Sequence, residues 1–162
     1  MRIGVISDTH ITSKSDSLPK EILEAFKNVD MIIHAGDLVE LSALEKLKQS
    51  CKNIRAVYGN MDSLEVKSKL PAKDIITIEN HKVGVTHGYG GPVNIREKIA
   101  DMFKDQKVDI IIYGHSHTPF NEKINNILYF NPGSPTDKIF APYNSYGILE
   151  INDKIEAKII KI

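Results

Sequence analysis

The stretch Val108-Asp109-Ile110-Ile111-Ile112-Tyr113-Gly114-His115-Ser116-His117 passes from an apolar run into two histidines spaced one residue apart. A short continuous apolar run bounded by turn residues is the pattern of a strand buried on both faces. Where such a strand ends, residues i and i+2 project to the same side, so His115 and His117 can converge on one point. Converging imidazoles suggest a metal ion. Histidine is equally at home on solvated surfaces, so further ligands have to come from the rest of the chain.

The same pattern recurs on either side. Ile3-Gly4-Val5-Ile6 leads into Ser7-Asp8-Thr9-His10, Met31-Ile32-Ile33 into His34-Ala35-Gly36-Asp37, and Ile54-Arg55-Ala56-Val57-Tyr58 into Gly59-Asn60-Met61-Asp62. Between the first two lies a polar loop at residues 12–17 and then a helix with Pro19 in its first turn and Ile22, Leu23 and Phe26 as its apolar stripe. Leu41, Leu44 and Leu47 mark a second amphipathic helix. Ile75-Ile76-Thr77-Ile78 and Lys82-Val83-Gly84-Val85 form a hairpin around Glu79-Asn80-His81, and the second of its strands leads into Thr86-His87-Gly88-Tyr89. Gly90-Gly91-Pro92 opens a helix carrying Ile95, Ile99, Met102 and Phe103. The tail predicts two more hairpins, turning at Asn125-Asn126 and Asn152-Asp153. These elements predict one α/β domain over residues 1–162. It has two sheets, the first mainly parallel and the second richer in hairpins, with helices on both outer faces.

Composition narrows the function classes. Lys+Arg and Asp+Glu both number 21, so the net charge is zero and no basic run favours nucleic acid or another large polyanion as partner. The single cysteine, Cys51, excludes an internal disulfide and fits a reducing compartment. The apolar start at residues 1–6 is too short for a signal-peptide core, and no run approaches a membrane span. A cytoplasmic protein without a membrane partner is the expectation. No feature specifies an oligomeric state.

Five apolar strands therefore end in ligand-type residues, namely Asp8 and His10, Asp37, Asn60, His87, and His115 with His117. In open α/β sheets functional groups gather at the carboxyl ends of strands. Asp and Asn are also common turn formers, yet five separate turn explanations are less economical than one shared metal centre. Two Asp, one Asn and four His are too many ligands for one tetrahedral zinc, and suit two ions sharing a carboxylate. Mixed imidazole and carboxylate ligation suits manganese, taken as the leading expectation, or iron, zinc or nickel. Such ions about 3.5–4 Å apart clamp the attacking and leaving oxygens in phosphoester hydrolysis, and a water between them is acidified toward hydroxide.

Asp8-x-His10, Gly36-Asp37, Gly59-Asn60-x-Asp62, His87-Gly88 and Gly114-His115-x-His117 together resemble, in order, the five motifs of the calcineurin-like metallophosphoesterases. Asn131-Pro132-Gly133-Ser134 is similar to the small phosphodiesterase branch. The resemblance implies a four-layer αββα sandwich and a dinuclear phosphodiesterase that attacks a small phosphodiester in line with a metal-bridging hydroxide. It further implies that Asp8, His10, Asp37 and His117 hold one ion, and that Asp37, Asn60, His87 and His115 hold the other. Asp37 would be the bridge and Asp62 an orienting group, so Asp8, Asp37, Asn60 and Asp62 form the expected catalytic set. The chain departs from the pattern at Met61, where larger relatives carry a histidine often assigned as proton donor, since a thioether cannot donate a proton. It departs again at Tyr89, where close relatives often have a histidine.

The alternative function is a metal-binding interaction scaffold similar to the retromer subunit, which predicts erosion at the ligand positions. A nuclease acting on polymers is disfavoured by the neutral charge. His34 reads as structural, His81 as solvent-facing in a turn, and Ser134 and Lys138 as turn residues with a lesser claim to phosphate contact. Residues 11–18, 64–73 and 90–92 read as the loops that set specificity.

Overall fold

Strands β1 (Arg2–Ile6) and β2 (Met31–Ala35) are buried over almost every residue, which is why their sequences show runs of apolar residues rather than alternation. They pair in parallel, and β3 (Ile54–Val57) pairs in parallel with β2. Crossover connections carry α1 (Lys20–Phe26) and α2 (Ser42–Lys48) onto one face. On the other side of β1 lies β9 (Ser145–Ile151), antiparallel to it and continuing through a hairpin into β10 (Ile155–Lys161). The first sheet thus runs β10-β9-β1-β2-β3. It is evenly mixed rather than mainly parallel, because the last hairpin of the chain returns to flank its first strand.

The second sheet runs β4-β5-β6-β8-β7. The hairpin of β4 (Lys73–Ile78) and β5 (His81–Thr86) forms one edge, and that of β7 (Phe120–Ile124) and β8 (Ile127–Asn131) the other. Between them sits β6 (Ile110–Ile112), parallel to both β5 and β8 and wholly buried. A helix, α4 (Ile95–Phe103), connects β5 to β6. This computed structural model describes residues 1–12, 18–91 and 94–162. The polar loop read at residues 12–17 and the helix start at Pro92 therefore lie, apart from Thr12, outside the described residues.

Three apolar clusters define four layers. Ile3, Val5 and Ile33 of the first sheet meet Val83, Ile110 and Ile112 of the second in the central core. Phe26, Leu44, Leu47 and Val66 cover the outer face of the first sheet, and Ile95, Ile99 and Phe103 cover that of the second. The αββα sandwich expected from the sequence is the observed architecture. Among the described residues, no helix is long and apolar enough to cross a membrane.

Two local readings are corrected. Residues 64–73 contain a helix, α3 (Leu64–Lys69), rather than a continuous loop, and β4 begins at Lys73. The helix buries only Val66 and starts from a Ser63 hydroxyl that accepts the Val66 N–H, so it is too short to show periodicity. His81 is not solvent-facing. It opens β5 half-buried, with Nδ1 3.8 Å from Asp109 Oδ2.

His34, inside β2, is fully buried. Its Nδ1 accepts the Gly36 N–H at 3.2 Å, so Nε2–H donates to the Thr9 hydroxyl at 3.1 Å. Burial drives its pKa down to about 3, against the pull of Asp8, and the ring stays neutral. In the unfolded chain His34 binds a proton from its ordinary value of 6.5, whereas the folded protein resists until about 3. Stability attributable to this group is thus present above pH 6.5 and falls as pH drops, by up to about 1.4 kcal/mol per pH unit. His34→Gln is expected to flatten the acid-side fall in urea stability. An unchanged slope would show that the folded protein protonates His34.

Candidate metal centre

Beyond the carboxyl ends of β1, β2, β3, β5 and β6 the chain turns at once. Asp8, His10, Asp37, His115 and His117 take it through positive φ of 53°, 46°, 56°, 68° and 54°. Left-handed backbone costs a non-glycine residue about 1–2 kcal/mol, least for Asp and Asn, and it persists where the surroundings over-determine it. The over-determining contacts are visible. The Asp8 N–H donates to the Gly36 carbonyl at 3.0 Å and the His10 N–H to that of Asp37 at 3.1 Å. The buried Asp62 carboxylate accepts from the N–H groups of Asp37 (3.0 Å), Gly59 (2.6 Å) and Val39 (2.6 Å). It fixes the turns after β2 and β3 together through their main chains. Across the sheets, the His115 N–H lies 3.1–3.2 Å from both oxygens of Asp8. The Asn131 amide donates to the Gly114 carbonyl at 2.9 Å, bracing the turn that carries both histidines.

These turns bring all seven expected side chains to one crevice. His10 Nε2 and His117 Nε2 stand 3.4 Å apart, with Asp8 Oδ1 3.2 Å from the latter. Asp37 Oδ2 lies 3.2 Å from His87 Nε2 and 3.7 Å from His10 Nε2, so it faces both halves of the cluster. Asp8 Oδ1 also reaches to 3.9 Å from His87 Nε2. Asn60 Oδ1 sits between His87 Nε2 at 3.1 Å and His115 Nδ1 at 2.9 Å. Asp8, Asp37 and His87 form a buried floor, His10, His115 and His117 a half-buried wall, and Asn60 an exposed mouth.

The far side of each ring decides what the near side offers. His87 Nδ1–H donates to the Ala35 carbonyl at 2.8 Å and His115 Nε2–H to the Gly90 carbonyl at 2.7 Å, since a carbonyl can only accept. In the neutral tautomers, His87 Nε2 and His115 Nδ1 then each direct a lone pair at Asn60 Oδ1, from 3.1 Å and 2.9 Å. Such a set needs a cation among its members, and it fits a divalent ion with nitrogen and oxygen ligands. The four histidines and two carboxylates include two groups of three whose ligand atoms lie within 4.8 Å: Asp8, His10 and His117, and Asp8, Asp37 and His87.

The local field favours positive charge. Hydrogen bonding to Asp8 raises the His117 pKa to about 9 despite burial, with Asp137 adding to it. Burial pushes His87 down, but Asp37 and Asp8 outweigh it and the net shift is upward. Burial likewise pushes Asp37 up, and is outweighed by His87 and by the Met61 N–H, leaving it below the usual carboxylate range. Two glycines make room for the carboxylates. A Cβ at Gly59 would lie 2.2 Å from Asp37 Oδ1, and one at Gly114 2.7 Å from Asp8 Oδ2.

A cavity of 370 Å³ opens over the cluster, with exposed Met61 and Phe140 among its lining. Tyr89 does not line it. Its ring lies under the Lys98 ammonium and faces a separate hollow behind His87. Ser134 is fully buried and donates to the Asp8 carbonyl at 2.7 Å, so its hydroxyl holds the ligand turn. Lys138 lines a different cavity, with Pro19 and Lys161. The residue that sequence reasoning missed is Asp137, whose carboxylate is hydrogen-bonded to His117 Nδ1. It lies twenty residues further along the chain, in a segment with no strand or motif to single it out.

Comparison with known proteins identifies the family and agrees with the fold. Residues 1–154 match the family model of the calcineurin-like phosphoesterase superfamily domain. A probable metallophosphoesterase of Methanocaldococcus jannaschii is 45% identical over 163 residues, spanning 100% of this chain and 82% of that protein. The structure of an archaeal phosphodiesterase superposes with a TM-score of 0.81 at 29% identity, covering 100% of both chains. The zinc complex of Vps29 from Entamoeba histolytica shares the fold, with a TM-score of 0.79 at 24% identity and 99% of each chain covered. The chain belongs to the calcineurin-like phosphoesterase superfamily.

Proposed function

We propose that this protein is a dinuclear metal-dependent phosphodiesterase acting on small phosphodiesters. The observation that carries the reading is the set of converging acceptor atoms around Asp37, whose Oδ2 faces His10 on one side and His87 on the other. In this reading Asp8, His10, Asp37 and His117 hold one ion, and Asp37, Asn60, His87 and His115 hold the second. When bound, two such ions polarise the phosphoryl oxygens and acidify water. Manganese is the first ion to test, and iron, zinc or nickel would suit the same donors.

The protein's own contribution is positioning. Asp62 acts through the main chain, holding Asp37 and Gly59 in register, and touches no substrate. The cavity lining among the described residues contains no lysine or arginine. A diester monoanion therefore suits it better than a monoester dianion, whose extra charge would meet no lysine or arginine among the described lining residues. Met61 and Phe140 offer the leaving group no proton. A positioned general acid is typically worth about 10²–10⁴-fold, so diesters with good leaving groups are best served. The single cysteine and neutral charge fit a cytoplasmic enzyme with small-molecule substrates.

After reconstitution with Mn²⁺, hydrolysis of an aryl phosphodiester is expected to exceed that of the matched monoester, with rates falling steeply as leaving-group pKa rises. Met61→His is expected to recover rate with poor leaving groups only. Flat dependence on leaving group would overturn the missing-acid argument. No hydrolysis, with or without metal uptake, would favour an interaction scaffold of the Vps29 kind. His115→Ala and His117→Ala are each expected to lower ion content by a different ion, distinguishable by the second ion's affinity. Loss of the same ion from both would overturn the division of ligands.

A further inference from the structure

His87 and His115 have their outward nitrogens held by main-chain carbonyls, whereas His117 is held by a carboxylate, that of Asp137. This carboxylate is itself saturated. Oδ1 accepts from the N–H groups of Ile139 (2.8 Å) and Phe140 (3.2 Å), and Oδ2 accepts from Phe140 (3.2 Å) and Ala141 (3.1 Å) as well as from His117. These N–H groups hold Asp137 behind His117 rather than among the expected ligands. Its own N–H donates to Ser134 Oγ at 3.0 Å, and that hydroxyl donates to the Asp8 carbonyl. The Thr136 hydroxyl donates to the Thr9 carbonyl at 2.7 Å. The loop that fixes His117 is therefore fastened to the turn that carries Asp8 and His10. The Phe140 ring closes the arrangement edge-on against His117, with centroids 6.3 Å apart and an interplanar angle of 78°.

We propose that Asp137 is the positioning residue for His117, setting its tautomer and ring plane so that Nε2 is presented to the ion shared with Asp8 and His10. The inference rests on reading the cluster as a metal centre. A carboxylate behind a ligating imidazole fixes the ring and raises its basicity, and loss of such a partner typically weakens metal affinity about 10–100-fold. The effect belongs to one ion of the two, because Asp137 reaches only His117 among the expected ligands. Phe140 is carried by main chain that Asp137 organises, so the same carboxylate also sets one wall of the cavity above the cluster.

The test is calorimetric titration of Mn²⁺ into metal-free wild-type protein and Asp137→Asn. Wild type is expected to bind two ions, and the variant to bind one with unchanged affinity and the other about 10–100-fold more weakly. Equal weakening of both ions, or of neither, would overturn the inference while leaving the metal centre intact. A wild type that binds no ion would overturn both. The second readout uses wild-type protein loaded with diamagnetic Zn²⁺. A slowly exchanging ring N–H resonance from His117 Nδ1, assigned by its loss in His117→Asn, is expected, and its absence overturns the proposal even if Asp137→Asn does not fold.

Discussion

Everything at the crevice depends on a backbone constraint: five of the expected ligands occupy left-handed conformations in the turns that follow β1, β2 and β6. A strand that continued straight would carry Asp8, Asp37 or His115 past the crevice. A turn through ordinary right-handed backbone would aim them elsewhere. These left-handed turns lie where the ligand side chains gather beyond the carboxyl ends of the strands. Their cost is offset by hydrogen bonds that have no other evident purpose, above all the three N–H groups collected by Asp62. Val39 illustrates the force of that carboxylate, since a β-branched residue stands at a φ of 75° with its N–H on Asp62.

The two sheets supply complementary halves. The first contributes both carboxylates of the expected ligand set, and the second contributes His87, His115 and His117, so neither sheet can assemble the cluster alone. Registration between the layers thus becomes a functional quantity. The apolar core between them sets the spacing, and polar bonds that cross it, such as His87 to the Ala35 carbonyl and Ser134 to the Asp8 carbonyl, set the alignment. The buried negative charge of Asp8 and Asp37 would be costly unless neutralised. His87 and His117, drawn toward protonation by the same field, show how strongly the pocket asks for positive charge.

Much of this was legible in the sequence, for a physical reason. Strands buried on both faces must be continuously apolar, so their ends are sharp, and the polar residues at those ends stand out. Asp8, Asp37, His87 and His117 were visible in this way. The evenly mixed first sheet was not, because nothing local in β9 or β10 says which strand the hairpin will flank. Helix α3 was too short to display a period. Asp137 had no strand end to mark it, since its role comes from a contact twenty residues away. Sequence patterning reports what a residue does within its own element, and is silent on partners brought together by the fold.

The ligand crevice and its lip answer to different physical demands. The crevice must satisfy buried charge, and this alone would preserve its donors in a catalyst or in a structural metal site. The lip has no such obligation, and here it carries Met61 and Phe140, exposed by 59% and 75%. Exposed apolar side chains beside a charged centre gain little from the fold itself, and they exclude water from whatever settles between them. On the proposed reading, a substrate arm that covers them would recover that apolar contact while its phosphate met the ions. The lip, rather than the ligand set, would then carry this chain's choice of substrate.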